Sequence, residues 1–129
     1  RLKHLNVYGA DYETRDGTGE RDYIHVEDLA RAHLAAIQFS STSTGCEAIN
    51  VGTGHGATVL EMVKAFEQAS GQVVPYKIGP RREGDVARSL AAVDKAERIL
   101  GWKAKLHIAD MCRTTWNWQS SNPNGYTQM

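Results

Sequence analysis

The chain has 129 residues, and its hydrophobic (41%) and charged (23%) fractions are those of a single soluble globular unit, which excludes a disordered or fibrous class. Fifteen Lys and Arg residues balance fifteen Asp and Glu residues, which disfavours nucleic-acid or membrane-surface binding, because such roles usually require a basic excess. No apolar run approaches the ~20 residues that span a bilayer, and the first ten residues lack a signal-peptide pattern, so we expect a cytoplasmic protein.

The first third of the chain predicts two extended segments and one helix. HLNVYG at 4–9 alternates weakly and predicts a strand, whereas the charged stretch at 10–21 predicts a loop. DYIHV at 22–26 predicts a second extended segment, after which Asp28 is expected to cap a helix over 29–39. The apolar residues of that helix fall on one stripe, which indicates one buried face.

The middle of the chain predicts a strand, a glycine turn and a well-delimited helix. EAINV at 47–51 is apolar on both faces and predicts a buried strand with a neighbour on each side. It leads into the turn GTGHG at 52–56. Thr58 and Glu61 then predict a capping box at the start of a helix, and Gly71 predicts its end.

The last third of the chain predicts one strand and two helices. VVPYKI at 73–78 predicts a strand at an edge or irregular position, because it contains a proline, and 79–89 predicts a loop. Helices are predicted over 94–100, ended by Gly101, and over 109–119. Three or four short strands separated by long crossovers favour an α/β fold with parallel pairing in a larger sheet, so we expect the chain to be part of a larger unit.

The glycine turn invites comparison with a dinucleotide-binding loop. That loop has the spacing G-x-G-x-x-G and an acidic residue about 20 residues later. Here Gly52, Gly54 and Gly56 place the third glycine one residue early, and Lys77 or Arg81 stands where the acidic residue is expected. The pattern therefore favours a tight turn over a cofactor site. The two cysteines are expected to be free thiols, and the five histidines lack the spacing of metal ligands.

Two glycine-containing loops carry arginines. Arg21 lies in GERDYIH, and Arg81 and Arg82 lie in PRREGD. A guanidinium group offers a planar fork of donors that suits phosphate oxygens, so two such loops could bind a diphosphate if they converge. Surface salt bridges to neighbouring acidic residues are the alternative. Tyrosines near the first loop add aromatic faces, so the sequence predicts a pocket for an anionic ligand with a flat ring.

Six stretches of this sequence, in order and spacing, resemble the UDP-glucose 4-epimerases, which belong to the extended short-chain dehydrogenase/reductase superfamily. They are YGADYETRDGTGERDYIHVEDLARAHLAA, NVGTGHG, VLEMVKAF, PRREGD, DKAERILGW and WNWQSSNPNGY. The resemblance covers nearly the whole chain. It implies that residues 1–129 form one C-terminal UDP-sugar-binding region, with few short strands and three or four helices, that is incomplete without an N-terminal Rossmann part.

The resemblance implies binding roles for eight residues, of which four concern the diphosphate and ribose. Arg21 and Arg82 would bind the diphosphate of a UDP-sugar. Asp85 would accept hydrogen bonds from ribose hydroxyls, and Tyr23 would lie beside the phosphates or the ribose.

The other four residues concern the two ends of the ligand. Asn6 and Tyr8 match positions that line the uracil pocket, and Val59 matches an apolar contact to the nucleotide. Ser89 matches a position at the sugar end, where a tyrosine tends to restrict the family to UDP-hexoses and a small residue leaves room for an N-acetyl group. We therefore expect UDP-GlcNAc and UDP-GalNAc as substrates besides UDP-glucose and UDP-galactose.

The resemblance also implies that part of the chemistry lies outside this sequence. In the family the N-terminal part binds NAD and supplies a catalytic Tyr-x-x-x-Lys pair, and no tyrosine here is followed by a lysine at that spacing. We therefore expect NAD as the cofactor of the complete enzyme, and neither a catalytic residue nor activity in the isolated chain. The implied reaction oxidises the sugar C4 hydroxyl, rotates the 4-keto sugar and returns hydride to the other face.

Alternatives to an epimerase stay open on the sequence. One is a dehydratase or decarboxylase of UDP- or dTDP-sugars on the same fold, and another is a non-catalytic sugar-nucleotide binding module. The combination of RDYIHV, RREGD and WNWQ favours the epimerase over the first alternative. The complete protein is expected to be a homodimer without nucleic-acid or membrane partners.

Overall fold

The computed structural model describes residues 3–126, which form four helices and five short strands. In chain order the elements are β1 (Leu5–Tyr8), β2 (Glu20–Arg21), α1 (Val26–Ser40), β3 (Ala57–Thr58), α2 (Val59–Ser70), β4 (Tyr76–Gly79), β5 (Arg88–Ser89), α3 (Asp94–Leu100) and α4 (Ile108–Ser121). The predicted α/β class with few short strands is confirmed. No helix in this part of the chain is both long and apolar enough to cross a membrane.

The strands form two small sheets. β1 and β4 pair in parallel with Leu5 opposite Tyr76, so the proline-containing segment does supply a strand, although it begins only after the proline. The other sheet has the order β3-β2-β5, with β2 antiparallel to β3 and parallel to β5. The parallel pairings join segments far apart in sequence, as the long crossovers predict.

Helix α2 begins and ends where the sequence predicts. The Thr58 hydroxyl accepts from the Glu61 N–H at 3.1 Å, and the Glu61 carboxylate accepts from the Thr58 N–H at 2.9 Å, which completes the capping box. Gly71 ends the helix in the left-handed region at φ 66°, where its N–H donates to Glu67. Likewise, α3 begins at Asp94 and ends at Leu100, followed by Gly101 as its C-cap, as predicted.

The predicted cap of α1 is wrong. The N-cap is His25, which has an extended backbone and whose side-chain Nδ1 accepts a hydrogen bond from the Glu27 N–H at 3.1 Å. Asp28 lies in the first turn, fully buried, and accepts from the backbone N–H groups of Lys105 and Leu106 at 2.9 and 2.8 Å. Because this carboxylate binds a distant loop, it is unavailable as a local cap.

The EAINV segment is not a strand, contrary to expectation. Within the described residues it has no strand pairing, and its Ile49 and Val51 instead pack against the core around Ala96 and Trp102. Two of its apolar side chains, partly buried, thus contact the core between α1 and α3 without forming a strand.

The second extended segment and the arginine loop also differ from expectation. The strand before α1 is only Glu20–Arg21, so DYIHV at 22–26 contains no strand residues. Conversely, the predicted loop at 79–89 ends in the two-residue strand β5. These two short strands pair with each other, so each is defined by its partner rather than by a local sequence pattern.

The helices pack in two pairs. α1 and α3 enclose the core that contains Ala32, Ala96 and Trp102, and α2 lies against α4. Phe66 of α2 meets Trp116 of α4 edge-to-face, with ring centroids 6.1 Å apart. Helix α4 extends slightly beyond the predicted 109–119 at both ends.

Candidate functional site

The carboxyl ends of β1 and β4 gather aromatic and cationic side chains. β1 ends at Tyr8 and β4 at Gly79, and the Gly9 N–H donates to the Gly79 carbonyl at 2.9 Å, which holds the two following loops together. The guanidinium carbon of Arg82 lies 4.7 Å from the centroid of the Tyr8 ring. The parallel pair therefore places a cation on an aromatic face at the edge where ligands commonly bind in α/β proteins.

Arg81 is committed to the protein itself. Its Nε donates to the Asp11 carboxylate at 2.7 Å, and its guanidinium carbon lies 4.2 Å from the Tyr12 ring centroid. Gly9, at φ 80°, permits this packing, because a Cβ there would meet the Tyr12 ring at 2.5 Å and Arg81 Cγ at 2.9 Å. The hydrogen bond from Arg81 lowers the pKa of Asp11 below its usual value. Arg82 is therefore the arginine of this loop that remains oriented toward the strand ends.

The two arginine loops converge on one carboxylate. Arg82 Nε lies 2.9 Å from Asp85 Oδ2, and Arg21 Nη2 lies 3.9 Å from Asp85 Oδ1. The Arg82 side chain is 61% exposed and that of Arg21 is 32% exposed, so both keep donors that solvent or a ligand can reach. The hydrogen bond to Asp85 raises the pKa of Arg82 above its usual value. Two guanidinium groups and one carboxylate leave a local excess of one positive charge.

Ser89 joins this group through the β2–β5 pair. Arg21 is directly opposite Ser89 in the parallel register. Because side chains alternate along a strand, paired residues lie on the same face of the sheet, and Glu20 with Arg88 lies on the other face. Arg21, Asp85 and Ser89 thus border one exposed region, with Tyr8 and Arg82 next to it.

The remaining expected site residues lie on β1, at the start of α2 and just after β2. Asn6 and Tyr8 are two residues apart in β1 and share its exposed face. Val59, half-buried, is the first residue of α2, and its N–H donates to the Gly19 carbonyl at 3.2 Å. Tyr23 lines a cavity of about 230 Å³ that also includes His55. Burial raises the pKa of Tyr23, although the charge of Arg21 opposes the increase.

Asp22 has a role that reasoning from the sequence missed. As an acidic neighbour of Arg21, Asp22 would be expected in a surface salt bridge, yet its carboxylate accepts from the N–H groups of Thr53 (2.9 Å), Gly54 (2.9 Å) and Ala91 (3.3 Å). Burial alone would raise the pKa of Asp22. Hydrogen bonds, first from the Thr53 hydroxyl at 2.5 Å and then from these three N–H groups, outweigh burial and hold the pKa below its usual value. The alternation of side chains along an extended segment could have indicated this role, because it places Asp22 on the face opposite to Arg21.

The glycine turn does not form a cradle for a dinucleotide. A Cβ on Gly52 would meet Asp22 Oδ2 and Ala91 Cβ at 2.5 Å, and a Cβ on Gly56 would meet Glu20 Cγ at 2.6 Å. These glycines therefore give room to side chains of the same chain, and the turn does not fit a pyrophosphate.

Comparison with known proteins places this arrangement in a family. Residues 2–115 match the family model described as GDP-mannose 4,6 dehydratase. The chain is 57% identical over 129 residues to UDP-glucose 4-epimerase 3 of Oryza sativa subsp. japonica, an alignment that covers 98% of this chain and 35% of that protein. The chain thus spans little more than a third of this relative.

Solved structures agree with the sequence comparison. A UDP-glucose 4-epimerase from Stenotrophomonas maltophila, described with bound NAD and formylated UDP-arabinopyranose, superposes with a TM-score of 0.91 at 50% identity, over 95% of this chain and 36% of that one. The enzyme from Bifidobacterium longum, described in complex with NAD+ and UDP, gives 0.87 at 53% identity, over 97% and 37%. The chain therefore belongs to the family of the GDP-mannose 4,6 dehydratase model and, within it, corresponds to the C-terminal part of the UDP-glucose 4-epimerases.

Proposed function

We propose that this chain is the UDP-sugar-binding part of an NAD-dependent epimerase that interconverts UDP-glucose and UDP-galactose. The observation that carries the proposal is the convergence of Arg21 and Arg82 on Asp85, beside the Tyr8 ring. Two relatives at 50% and 53% identity are described as complexes with NAD and a UDP-containing ligand, which supports the same ligand class here.

In this proposal Arg21 and Arg82 bind the diphosphate. Arg21 Nη1 donates to the Glu20 carbonyl at 2.8 Å, whereas the 3.9 Å separation of Arg21 Nη2 from Asp85 leaves Nη2 available to a phosphate oxygen. The Arg82 side chain is mostly exposed. Each charge-assisted hydrogen bond contributes about 1.5 to 3 kcal/mol. Asp85, released from Arg82, would then accept from the ribose hydroxyls.

The uracil end is assigned to β1. The Tyr8 ring is 39% exposed and offers a flat apolar face once Arg82 moves to the phosphates. Asn6, on the same face of the strand, carries both donors and acceptors for the edge of a base. Val59 and Tyr23 are proposed to contact the nucleotide and the phosphate or ribose, respectively.

NAD is assigned to the remainder of the complete polypeptide, because the glycine turn packs against Asp22 and Glu20 and does not fit a dinucleotide. When bound, NAD accepts and returns the hydride at C4 of the sugar. The residues of this chain bind and orient the UDP-sugar.

The test of the binding site is the affinity of the complete polypeptide for UDP, measured by calorimetry. We expect Arg21→Ala and Arg82→Ala each to weaken UDP binding by about ten- to a hundred-fold, because each removes a charge-assisted contact to phosphate. NAD content should change far less.

A matched control is available for Arg82. Arg113 pairs with Asp110 three residues away at 2.9 Å and is 58% exposed, which closely matches the Arg82–Asp85 pair. Arg113→Ala should leave the UDP affinity unchanged. If Arg21→Ala and Arg82→Ala also leave the UDP affinity unchanged, the two arginines form only surface salt bridges, and their assignment to the diphosphate is wrong.

A further inference from the structure

Glu20 is a buried carboxylate held between two arginines. The residue is 3% exposed, and its Oε1 lies 2.7 Å from Arg15 Nη1 while its Oε2 lies 2.8 Å from Arg88 Nε. A carboxylate removed from water costs several kcal/mol unless it is paired, and here each oxygen has a guanidinium partner. Arg15 lies in the loop between β1 and β2 and Arg88 lies in β5, so Glu20 connects the two segments.

The Arg15 side of this connection is anchored to α2. Arg15 also donates to the Glu61 carboxylate at 2.8 and 2.7 Å and to the Gly56 carbonyl at 3.1 Å. The Glu20 side chain packs closely against Gly56, because a Cβ on Gly56 would lie 2.6 Å from both Glu20 Cγ and Leu90 Cδ2. The position of the Glu20 carboxylate is therefore fixed by packing as well as by charge.

The Arg88 side of the connection determines where β5 lies. β5 has only two residues, Arg88 and Ser89, both exposed, and so short a strand has little stability of its own. Its backbone is held by the Glu20 N–H, which donates to Ala87 at 2.8 Å, and by the Asp22 N–H, which donates to Ser89 at 3.1 Å. The ion pair between Glu20 and Arg88 adds a side-chain link on the residue directly before Ser89.

We propose that Glu20, through Arg88, is a positioning residue that holds β5 so that Ser89 shares one face with Arg21. The Glu20–Arg88 pair lies on the opposite face of the same two strands, behind the pair of Arg21 and Ser89. This inference rests on the proposed function, in which Arg21 binds phosphate and Ser89 borders the sugar. Glu20 touches no substrate in this arrangement and acts on sugar selection through β5.

The first arm of the test is amide hydrogen exchange in the complete polypeptide. In Glu20→Gln the Asp22 amide, which reports the β2–β5 pairing, should exchange at least about ten-fold faster, because a charged partner is lost. The milder Arg88→Gln, at a side chain that is 56% exposed, should have the same effect and is expected to fold. The Gly9 amide, bonded to Gly79 in the other sheet, should not change.

The second arm separates positioning from general stability. In both variants the affinity for a UDP-N-acetylhexosamine relative to that for a UDP-hexose should change by about three-fold or more, while the affinity for UDP alone stays within about two-fold. Glu47→Gln, which breaks the exposed 2.7 Å pair with Lys95, should change neither quantity.

The outcomes are distinguishable. Unchanged exchange at Asp22 in both variants, or faster exchange with an unchanged sugar ratio, would overturn the positioning role in a protein that binds UDP. If the unmodified protein binds no UDP, the proposed function itself fails, and the exchange arm still decides whether Glu20 holds β5.

Discussion

Ser89 is the residue at which the sequence and the structure together bear on sugar selection. It is exposed, directly opposite Arg21 in the register of β2 and β5, and directly follows Arg88, which forms the ion pair with Glu20. A serine leaves space of several heavy atoms compared with a tyrosine, and its hydroxyl can donate to an acetamido carbonyl. We therefore propose that the complete polypeptide accepts N-acetylated UDP-sugars.

We predict that Ser89→Tyr reduces kcat/KM for UDP-GalNAc relative to UDP-galactose by about ten-fold or more, because the ring fills the space for the acetamido group. kcat/KM is measured for both UDP-sugars, with the unmodified complete polypeptide and with the variant. Ser120→Tyr, on the exposed surface of α4, serves as the control. An unmodified enzyme that ignores UDP-GalNAc, or a ratio that Ser89→Tyr leaves unchanged, would show that Ser89 does not select the sugar.

The arginines illustrate how far residue types alone lead toward a site. The fork geometry of Arg21 and Arg82 predicts phosphate binding, and the structure brings both near Asp85. Residue types alone do not distinguish Arg82 from Arg81, and only the resemblance singled out Arg82, because the structural distinction depends on Asp11, 70 residues away in the chain, which binds Arg81. Partners at such separations leave no local pattern.

Helix α2 shows that purely local signals are reliable. Its capping box and its terminal glycine involve residues at most four apart, and both are predicted and found. The cap of α1 and the EAINV segment were predicted wrongly, because Asp28 binds the N–H groups of Lys105 and Leu106, and EAINV packs into the core. Local propensity was overridden by tertiary contacts in both places.

We predict that the stability of α2 depends on pH through Glu61. Hydrogen bonds, first from Arg15 and then from the Thr58 N–H, lower the pKa of Glu61 from its ordinary value of 4.5 to about 2. A depressed pKa means that the stabilisation is present above pH 4.5 and is lost as the pH falls toward 2. Glu61→Gln should lower the free energy of opening of α2 by about 1 kcal/mol at neutral pH.

Amide hydrogen exchange across α2, measured from pH 7 down to the lowered pKa of Glu61 at about 2, tests this dependence. The difference between the unmodified protein and Glu61→Gln should shrink as Glu61 is protonated. Glu83→Gln, at an exposed loop position, should give no such pH-dependent difference. A difference that stays constant with pH would contradict the role of the ionised carboxylate.

The molecule as a whole leaves one sheet poorly covered. Large apolar side chains on or near β1 and β4 are exposed, namely Leu5 (42%), Val73 (83%), Tyr76 (45%) and Ile78 (54%). Parallel sheets are normally covered on both faces, and the chain spans only about a third of its relatives. We therefore infer that this sheet is completed by the remainder of the polypeptide.

Residues 1–129 expressed alone are predicted to bind a hydrophobic dye and to unfold over a broad temperature range, because this apolar surface stays in contact with water. Fluorescence of the dye and calorimetry measure the two properties. The complete polypeptide should show a sharper transition and little dye binding. A sharp two-state transition of the isolated chain without dye binding would contradict the inference.

The central claim is that the complete polypeptide carrying this chain is a UDP-glucose 4-epimerase, and the products formed from UDP-galactose in the presence of NAD test it most directly. Mass spectrometry combined with proton NMR of the sugar ring identifies those products. We predict UDP-glucose, with the mass of the substrate, because epimerisation changes only the configuration at C4. Product that has lost water, or protein that binds UDP-galactose and returns it unchanged, would contradict the claim in favour of a dehydratase or a non-catalytic module, respectively.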